Sequence, residues 1–424
     1  MTDRPPETTA TYIQRICRQA RLASRTVAAL DSEIKTAALS AMAQRLKESR
    51  MQLQEANARD IEGARERGLS AAMVDRLALT DTRIEQMAAG IDEIALLRDP
   101  VGEVVSQWRR PGGFEVGQVR IPLGVIGMIY ESRPNVTADA SALCFKAGNA
   151  TVLRGGSEAF HSNLAIATVI RAAISESGVD PNAVQVLETT DREAIGELLK
   201  QVDSIDLIIP RGGKGLIKKV TEESRIPVIK HYEGICHVYV HSEADLEMAV
   251  RIAVNAKVQR PSTCNAMETL LVDEKVADVF VPRIARELIN QGVQIYGCPE
   301  TVSRVSDADP ATEESFRTEY LDLTCNIRVV EGFDQAVAHI QEFGSNHTDV
   351  IVTNSIEAAR RFLRVVNSSS VMVNASSRLA DGGVYGLGAE IGISTDKLHA
   401  YGPMGVTELT TKKFFVLGDG TLRT

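Results

Sequence analysis

Apolar residues recur every three or four positions through much of the first hundred residues, a spacing typical of amphipathic helices. The first stripe consists of Ile34, Ala38, Met42 and Leu46, and the second of Ile84, Met87, Ile91 and Ile94. Asp31 stands where a helix N-cap is expected, and Asp99-Pro100 closes the second helix. The pattern therefore predicts a helical amino-terminal region in which both stripes serve packing.

Two extended runs follow this helical region. Residues 104–108 and 114–121 flank the turn Arg109-Arg110-Pro111-Gly112-Gly113, which predicts a β-hairpin. A hairpin at the junction between a helical region and an α/β region often projects outward. It is a candidate for an oligomer contact.

From Gly124 onward, strand-like apolar runs alternate with amphipathic helical runs. The predicted strands are residues 125–130, 151–154, 184–187, 205–209 and 227–230, with helices at 163–177 and 192–202. Repeated β-α-β units predict a parallel, doubly wound sheet that binds ligands at the carboxyl ends of its strands. A second set, with strands at 268–272, 294–296 and 350–353 and helices at 275–290 and 331–343, predicts another α/β domain. The two domains are expected to meet near Cys264.

Cys264 stands on a short polar loop between a helical run, 245–257, and a strand run, 266–272. Pro261 ends the helix, because it has no amide hydrogen and its ring clashes with the preceding turn. Ser262 and Thr263 are small and leave room for a substrate to approach the sulfur. The loop therefore predicts an accessible thiol nucleophile.

Composition narrows the class of protein. The chain has 424 residues, 44% of them hydrophobic and 24% charged, which indicates a globular protein of two or three domains. The net charge of −9 argues against sequence-independent nucleic-acid binding, and no apolar run nears the roughly 18 residues that span a bilayer. The amino-terminal arginines are interpreted as part of a starting helix instead of a targeting peptide. A cytoplasmic protein without a membrane partner is expected.

The cysteines and histidines show no metal signature. The six cysteines contain no Cys-x-x-Cys pair, so reduced thiols are expected, with neither a zinc site nor a disulfide framework. His231, His237 and His241 alternate along an extended run, and His339 and His347 flank a turn. These spacings match no known metal site, and no metal is predicted.

Two glycine-bearing turns follow strands of the first α/β region. They are Arg154-Gly155-Gly156-Ser157-Glu158 and Pro210-Arg211-Gly212-Gly213-Lys214-Gly215. Glycine permits close backbone approach, and the amides of a helix amino terminus favour phosphate. Neither turn is a Gly-x-Gly-x-x-Gly motif or a P-loop, and each alone is typical of a structural strand-to-helix connection. Together on one sheet edge they favour a dinucleotide.

A thiol nucleophile beside a dinucleotide indicates one class of reaction. A thiolate attacks an activated carbonyl to form an acyl-enzyme, and hydride exchange takes place at that carbon. The oxyanion needs hydrogen-bond donors, for which the amide of Cys264 and a side-chain amide are candidates.

Long ordered blocks of the chain resemble the gamma-glutamyl phosphate reductases (glutamate-5-semialdehyde dehydrogenases), which are members of the aldehyde dehydrogenase superfamily. The blocks are residues 121–136, 146–149, 153–156, 259–269, 339–340, 344–349 and 385–395. The resemblance implies an α/β, aldehyde-dehydrogenase-like fold with a Rossmann-type parallel sheet. It places a cofactor-binding domain at 1–108, 122–232 and 368–404, a catalytic domain at 233–367, and an oligomerisation element at 109–121 and 405–424, including a strand at 414–417.

The same resemblance implies NADPH-dependent reduction of L-glutamyl 5-phosphate to L-glutamate 5-semialdehyde with release of phosphate. Cys264 matches the nucleophile, and Asn135 matches the asparagine that helps to hold the oxyanion. The implied cofactor-binding residues are Arg154, Gly155, Gly156, Ser157, Gly212, Gly213, Lys214 and Glu319. A homo-oligomer is expected, and glutamate kinase is a candidate partner.

The substrate's α-carboxylate needs donors and its ammonium needs an acceptor. The loop from 374 to 383 offers Ser376, Ser377 and Arg378 as donors and Asp381 as acceptor, although a solvated loop explains these residues equally well. Arg133 is a candidate for the phosphate or for a structural ion pair.

Several alternatives stay open. Either His231 or Glu233 replaces the general-base glutamate of ordinary aldehyde dehydrogenases. A rival function is NAD(P)-dependent oxidation of a small aldehyde, and a rival of another class is a dinucleotide-binding scaffold without catalysis. The sequence leaves open the oligomer size, the choice of NADPH over NADH, a kinase complex and the group that activates Cys264.

Overall fold

The computed structural model describes residues 7–230 and 232–423, and these form two compact units. The first unit holds residues 7–230, Leu387–Gly392 and 404–423, and the second holds residues 232–386 and Ile393–Pro403.

The helices are α1 (Thr9–Val27), α2 (Ser32–Glu48), α3 (Arg50–Glu66), α4 (Ala71–Leu77), α5 (Asp81–Leu96), α6 (Asn135–Lys146), α7 (Phe160–Glu176), α8 (Glu193–Leu198), α9 (Lys214–Glu223), α10 (Leu246–Val258), α11 (Glu274–Asn290), α12 (Pro299–Val302), α13 (Glu313–Phe316), α14 (Phe333–Phe343) and α15 (Ile356–Val365). The strands are β1 (Val104–Arg109), β2 (Glu115–Pro122), β3 (Val125–Tyr130), β4 (Ala150–Arg154), β5 (Val184–Val186), β6 (Leu207–Arg211), β7 (Cys236–Val240), β8 (Met267–Asp273), β9 (Gln294–Gly297), β10 (Asp309–Pro310), β11 (Thr324–Val330), β12 (Thr348–Val352), β13 (Ser370–Val373), β14 (Gly392–Ser394), β15 (Gly402–Met404) and β16 (Thr410–Leu417).

The first unit is organised around a parallel sheet of order β5-β4-β3-β6. Every residue of β3 is buried, which explains why this strand is an uninterrupted apolar run. Because β4 and β6 lie on either side of β3, their carboxyl ends share one edge of the sheet. The predicted strand at 227–230 is present only as an isolated parallel bridge between Ile208 and Val228. Pro227 has no amide hydrogen to donate to a longer ladder.

The amino-terminal helices follow the predicted stripes with one change of face. The residues of the second stripe are buried in α5, whereas Ile34 of the first is 39% exposed. Lys35 takes the inward position instead, with its ammonium 2.8 Å from the Asp99 carboxylate. Asp31 occupies the N-cap position of α2 but its side chain makes no capping hydrogen bond. Among the described residues, no helix is both long and apolar enough to cross a membrane.

The predicted hairpin is present and gains a third strand from the end of the chain. β1 pairs with β2, and β2 pairs with β16, in each case antiparallel. The predicted strand at 414–417 is the second half of β16. Trp108, Phe414 and Val416 leave much of their side-chain surface exposed on this sheet.

The second unit is built on a parallel sheet of order β10-β9-β11-β8-β7-β12-β13. The central strands β7 and β8 are buried along their whole length. Residues 368–386, which the sequence assigns to the cofactor-binding domain, lie in this unit, because β13 pairs with β12. Hydrophobic patterning shows that a segment is a strand but not which neighbour it pairs with.

A buried ion pair joins α10 to β8 in the second unit. The Lys257 ammonium lies 2.7 Å from the Glu268 carboxylate, and both side chains are fully buried. Burial raises the pKa of Glu268 to about 7, while Lys257 and the amide of Leu321 act in the opposite direction. The pair therefore holds the segment before Cys264 against the strand after it.

We expect Lys257→Met to lower the free energy of unfolding by about 3–5 kcal/mol, because it leaves the Glu268 carboxyl buried without its cation. The double variant Lys257→Met/Glu268→Gln removes that charge and should recover most of the loss. Chemical denaturation of the three proteins measures both effects. A single variant that loses less than about 1 kcal/mol would contradict a charged pair at this site.

Candidate active site

Cys264 lies on the loop between α10 and β8, and its residue is half-buried. α10 ends at Val258, before Pro261, as the sequence predicts. The loop leads into the amino end of β8, so the thiol lies at the amino edge of this sheet. The carboxyl-edge rule applied to the first α/β region does not describe this position, because the nucleophile comes from the loop entering a strand.

Gly234 packs directly against the backbone of Cys264. A Cβ atom on Gly234 would lie 1.9 Å from the Cys264 carbonyl oxygen and 2.7 Å from its Cα, far inside contact distance. The Gly234 amide donates to Glu319 Oε1 at 2.9 Å. Gly234 thus connects the nucleophile loop to Glu319, one of the predicted cofactor-binding residues.

Further hydrogen bonds join loops that each precede a strand of the same sheet. The Cys236 thiol donates to the Cys264 carbonyl oxygen at 3.2 Å, and the Ile235 amide donates to Ser345 Oγ at 2.9 Å. β7, β8, β11 and β12 begin just after these loops and are parallel. Cys264 and Glu319 are therefore held together at one edge of one sheet.

The predicted substrate loop contacts the nucleophile loop through Asn265. Ser377 Oγ donates to the Asn265 carbonyl oxygen at 2.6 Å, and Asn265 Nδ2 donates to the Ala380 carbonyl oxygen at 2.9 Å. The Arg378 guanidinium also donates to Asn265 Oδ1. Ser377 is fully buried and used in this contact, whereas Asp381 is exposed and accepts the amide of Gly383 at 2.9 Å.

The environment separates Cys264 from other thiols of the chain. Burial raises the pKa of Cys17 and of Cys325 to about 12, and it also raises the pKa of Cys144 and of Cys236. These four thiols are held in the protonated, unreactive form near neutral pH. Cys264 has a solvent-accessible fraction that they lack.

In the first unit, an amide of the second glycine turn donates a hydrogen bond to a carboxylate. α9 begins at Lys214 with Gly213 at its N-cap, and the Gly213 amide donates to Glu131 Oε2 at 2.9 Å. A Cβ on Gly212 would lie 2.5 Å from the same carboxylate oxygen. The turn therefore admits a negatively charged oxygen at the start of a helix, as a phosphate site requires.

The first glycine turn is equally close to a carboxylate. A Cβ on Gly156 would meet the Glu158 carboxylate at 2.2 Å, and a Cβ on Gly155 would meet the Asn163 amide at 2.0 Å. Glu158 also accepts the amide and hydroxyl of Ser132, at 2.6 and 2.7 Å. Ser157 starts the short helical turn that leads into α7. Substitution of either glycine would displace these neighbours.

Arg154 ends β4 beside that turn and is largely buried. Its guanidinium donates to the Thr190 carbonyl oxygen at 3.3 Å, while its Nε atom is buried without a hydrogen-bond partner among the described residues. Burial lowers the pKa of Arg154, and the Glu158 carboxylate raises it. An arginine keeps its charge, so this cation has donor capacity left for a ligand.

The carboxyl end of β3 leads to the predicted oxyanion residue. Asn135 is the first residue of α6, is exposed, and donates through Nδ2 to Asp139 Oδ2 at 2.8 Å. Burial raises the pKa of Asp139 to about 6. Arg133 is exposed just before this helix. Asn135 thus shares a sheet edge with both glycine turns.

The structure brings the predicted residues together in two groups. The second unit contains Cys264, Glu319, Ser376, Ser377, Arg378 and Asp381, and the first contains Arg133, Asn135, Arg154, Gly155, Gly156, Ser157, Gly212, Gly213 and Lys214. Of the two candidates for the base position, His231 lies outside the described residues and Glu233 is half-buried. Sequence reasoning missed Gly234 and the thiol of Cys236, although a glycine immediately before an apolar strand signals close backbone approach.

The buried histidines are engaged with other side chains. His237 Nδ1 lies 2.8 Å from Asp349 Oδ1, and His339 Nδ1 lies 2.8 Å from an Arg328 nitrogen. Burial, together with His237 and Arg328, lowers the pKa of His339 to about 2, so its ring is neutral. Within residues 7–230 and 232–423, no group of three or more His, Cys, Asp or Glu is arranged to hold a metal ion.

Comparison with known proteins identifies similar sequences and structures. The model of the aldehyde dehydrogenase family matches residues 2–294. A gamma-glutamyl phosphate reductase from Desulfatibacillum aliphaticivorans is 54% identical over 408 residues, which cover 96% of this chain and 98% of that protein.

Two solved structures of gamma-glutamyl phosphate reductases also align with the chain. The enzyme from Thermotoga maritima has a TM-score of 0.96 and 44% identity, covering 97% of this chain and 100% of its own. The enzyme from Saccharomyces cerevisiae has a TM-score of 0.53 and 31% identity, covering 97% of this chain and 98% of its own.

Proposed function

Because the chain belongs to the gamma-glutamyl phosphate reductases of the aldehyde dehydrogenase family, we propose that it catalyses the NADPH-dependent reduction of L-glutamyl 5-phosphate to L-glutamate 5-semialdehyde. Phosphate is released, and the reaction is a step of proline biosynthesis. The observation that carries the proposal is the placement of the half-buried Cys264, whose backbone packs against Gly234, while the Gly234 amide donates to Glu319 Oε1.

The proposed route divides acyl reduction into two easier steps. The Cys264 thiolate attacks the acyl carbon of glutamyl phosphate, a C–S bond forms, and the C–O bond to phosphate breaks. When bound, NADPH supplies the hydride that reduces the resulting thioester carbon. The C–S bond then breaks, the aldehyde leaves, and Cys264 returns to its thiolate form. The Cys264 amide and Asn135 are the proposed donors to the oxyanion.

Residues of the first unit fit a dinucleotide with phosphates. The Gly213 amide already donates to a carboxylate, and Arg154 Nε is buried with no protein partner among the described residues. At Gly155, Gly156 and Gly212 a Cβ atom would collide with neighbouring side chains, so only glycine fits the turns as they stand. The residues of this unit proposed to hold the cofactor are Arg154, Gly155, Gly156, Ser157, Gly212, Gly213 and Lys214. Glu319 of the second unit is proposed as a further cofactor ligand. The preference for NADPH over NADH rests on the family resemblance.

Residues of the loop after β13 are proposed to bind the amino-acid end of the substrate. Ser376 and Asp381 offer a hydroxyl and a carboxylate on the loop that contacts Asn265. Arg133, in the first unit, is proposed for the phosphate.

We also propose that copies of the chain associate through the sheet of β1, β2 and β16. Its exposed Trp108, Phe414 and Val416 offer apolar surface of the kind that protein contacts bury. The six free cysteines suit a reducing compartment such as the cytoplasm.

A phosphate-dependence assay of the reverse reaction tests the proposed function. With glutamate 5-semialdehyde and NADP, sustained NADPH formation should require phosphate, because phosphate must attack the thioester to free Cys264. Arsenate, which forms an unstable acyl arsenate, should replace phosphate. Sustained turnover in phosphate-free buffer would instead indicate hydrolytic aldehyde oxidation, the rival function.

A further inference from the structure

Arg378 spans the loop that carries Cys264. Its Nε atom donates to Gln259 Oε1 at 2.9 Å, and its Nη1 atom donates to Asn265 Oδ1. Gln259 lies just after α10 and Asn265 directly follows Cys264. One guanidinium therefore contacts both ends of the loop.

Two features distinguish this contact from an ordinary ion pair at the protein surface. Arg378 is half-buried in a short helical turn, Ser377–Leu379, whose neighbours Ser377 and Ala380 also bond to Asn265. Both of its acceptors are neutral amide oxygens, so the bonds place the cation without neutralising its charge. The positive charge is left to act on groups around the loop.

Charged and titratable groups around the nucleophile loop come from several neighbouring segments. Arg260 is on the nucleophile loop itself, Arg378 and Asp381 are on the loop after β13, and Cys236 and Glu319 are on the loops before β7 and β11. Burial and then Arg260 lower the pKa of Arg378, while Cys264 and Asp381 raise it, so Arg378 and the Cys264 thiolate attract each other. Burial raises the pKa of Cys236 well above its usual value, which keeps this neighbouring thiol neutral.

We propose that Arg378 is a positioning residue that fixes the nucleophile loop and stabilises the thiolate form of Cys264, instead of serving as a ligand of the substrate carboxylate. This inference rests on the proposed function only in assuming that the Cys264 thiolate is the nucleophile. It supplies an activating group that the nucleophile loop's own sequence does not reveal. An opposite charge within a few ångströms lowers the pKa of an acid by about 1–3 units.

The pH profile of thiol alkylation distinguishes the two roles of Arg378. The substrate-free protein is treated with iodoacetamide between pH 5 and 10, and the rate is followed on the peptide that contains Cys264. In Arg378→Gln the midpoint should rise by at least about 1 pH unit. Arg364→Gln, which removes a charge from an exposed position of α15, should leave the midpoint where it is in the wild type.

Gln259→Glu provides a second, conservative test at an exposed position. The new carboxylate can still accept the Arg378 Nε hydrogen bond but offsets the positive charge, so the midpoint should rise without loss of folding. Arg378→Lys, which keeps a cation, should show a smaller rise than Arg378→Gln. Unchanged midpoints in Arg378→Gln and Gln259→Glu, with only a higher KM for glutamyl phosphate in Arg378→Gln, would overturn the proposal. Because alkylation is read without turnover, these results stay separate from whether Cys264 serves the proposed reaction.

Discussion

Replacing Gly234 with alanine is expected to lower kcat by at least about 100-fold, because a displacement of about 1 Å in a reacting group can cost that much. The new Cβ would fall 1.9 Å from the Cys264 carbonyl oxygen and 2.6 Å from its carbonyl carbon. The atoms it meets are backbone, so the nucleophile loop itself must move. Steady-state kinetics measures the loss, and circular dichroism shows whether the variant remains folded.

The matched control is a glycine-to-alanine substitution at a position where the added Cβ meets no other atom. Gly90 lies within α5, and no atom lies within 4 Å of its Cβ position. Gly90→Ala should retain full activity and gain about 0.5–1 kcal/mol of stability from better helix propensity. A Gly234→Ala protein that is folded and retains wild-type kcat would show that the close contact between residue 234 and the Cys264 backbone does not position the nucleophile.

Cys264→Ala is expected to lower reductase activity at least about 1,000-fold, because a covalent route cannot proceed without its nucleophile. The variant should still bind NADPH, because the proposed phosphate ligands lie in the first unit. Fluorescence titration with NADPH checks binding, and absorbance of NADPH checks turnover.

Cys17→Ala is the control for cysteine removal. Cys17 is buried in α1, and burial raises its pKa to about 12, so it carries no thiolate at neutral pH. Its loss should leave kcat unchanged and cost a small amount of stability. Turnover in Cys264→Ala comparable to that of the wild type would instead indicate that another residue is the nucleophile.

The aldehyde-dehydrogenase-like fold and the resemblance to gamma-glutamyl phosphate reductases are confirmed. Both were readable because they rest on local signals. Uninterrupted apolar runs such as β3 predict buried parallel strands, and Pro261 forces the chain out of α10 before Cys264. The two glycine turns share a sheet edge because parallel strands flanking β3 end together.

Features that depend on contacts between distant segments were not readable. Gly234 approaches Cys264 across 30 positions of sequence, and no periodicity reports such a contact. Lys35 displaces Ile34 from the buried face of α2 because it pairs with Asp99, a partner invisible to a hydrophobic pattern. The sequence likewise predicts Arg378 as a donor to the substrate, because it does not show that Gln259 and Asn265 accept hydrogen bonds from this side chain.

Trapping the acyl-enzyme tests the central claim most directly. The protein is mixed with glutamate 5-semialdehyde and NADP in phosphate-free buffer, quenched in acid within one turnover, and analysed by mass spectrometry of its peptides. One NADPH per active chain and one glutamyl group on Cys264 are expected, and phosphate added before the quench should remove that group. Formation of NADPH without a glutamyl adduct on Cys264 would contradict it.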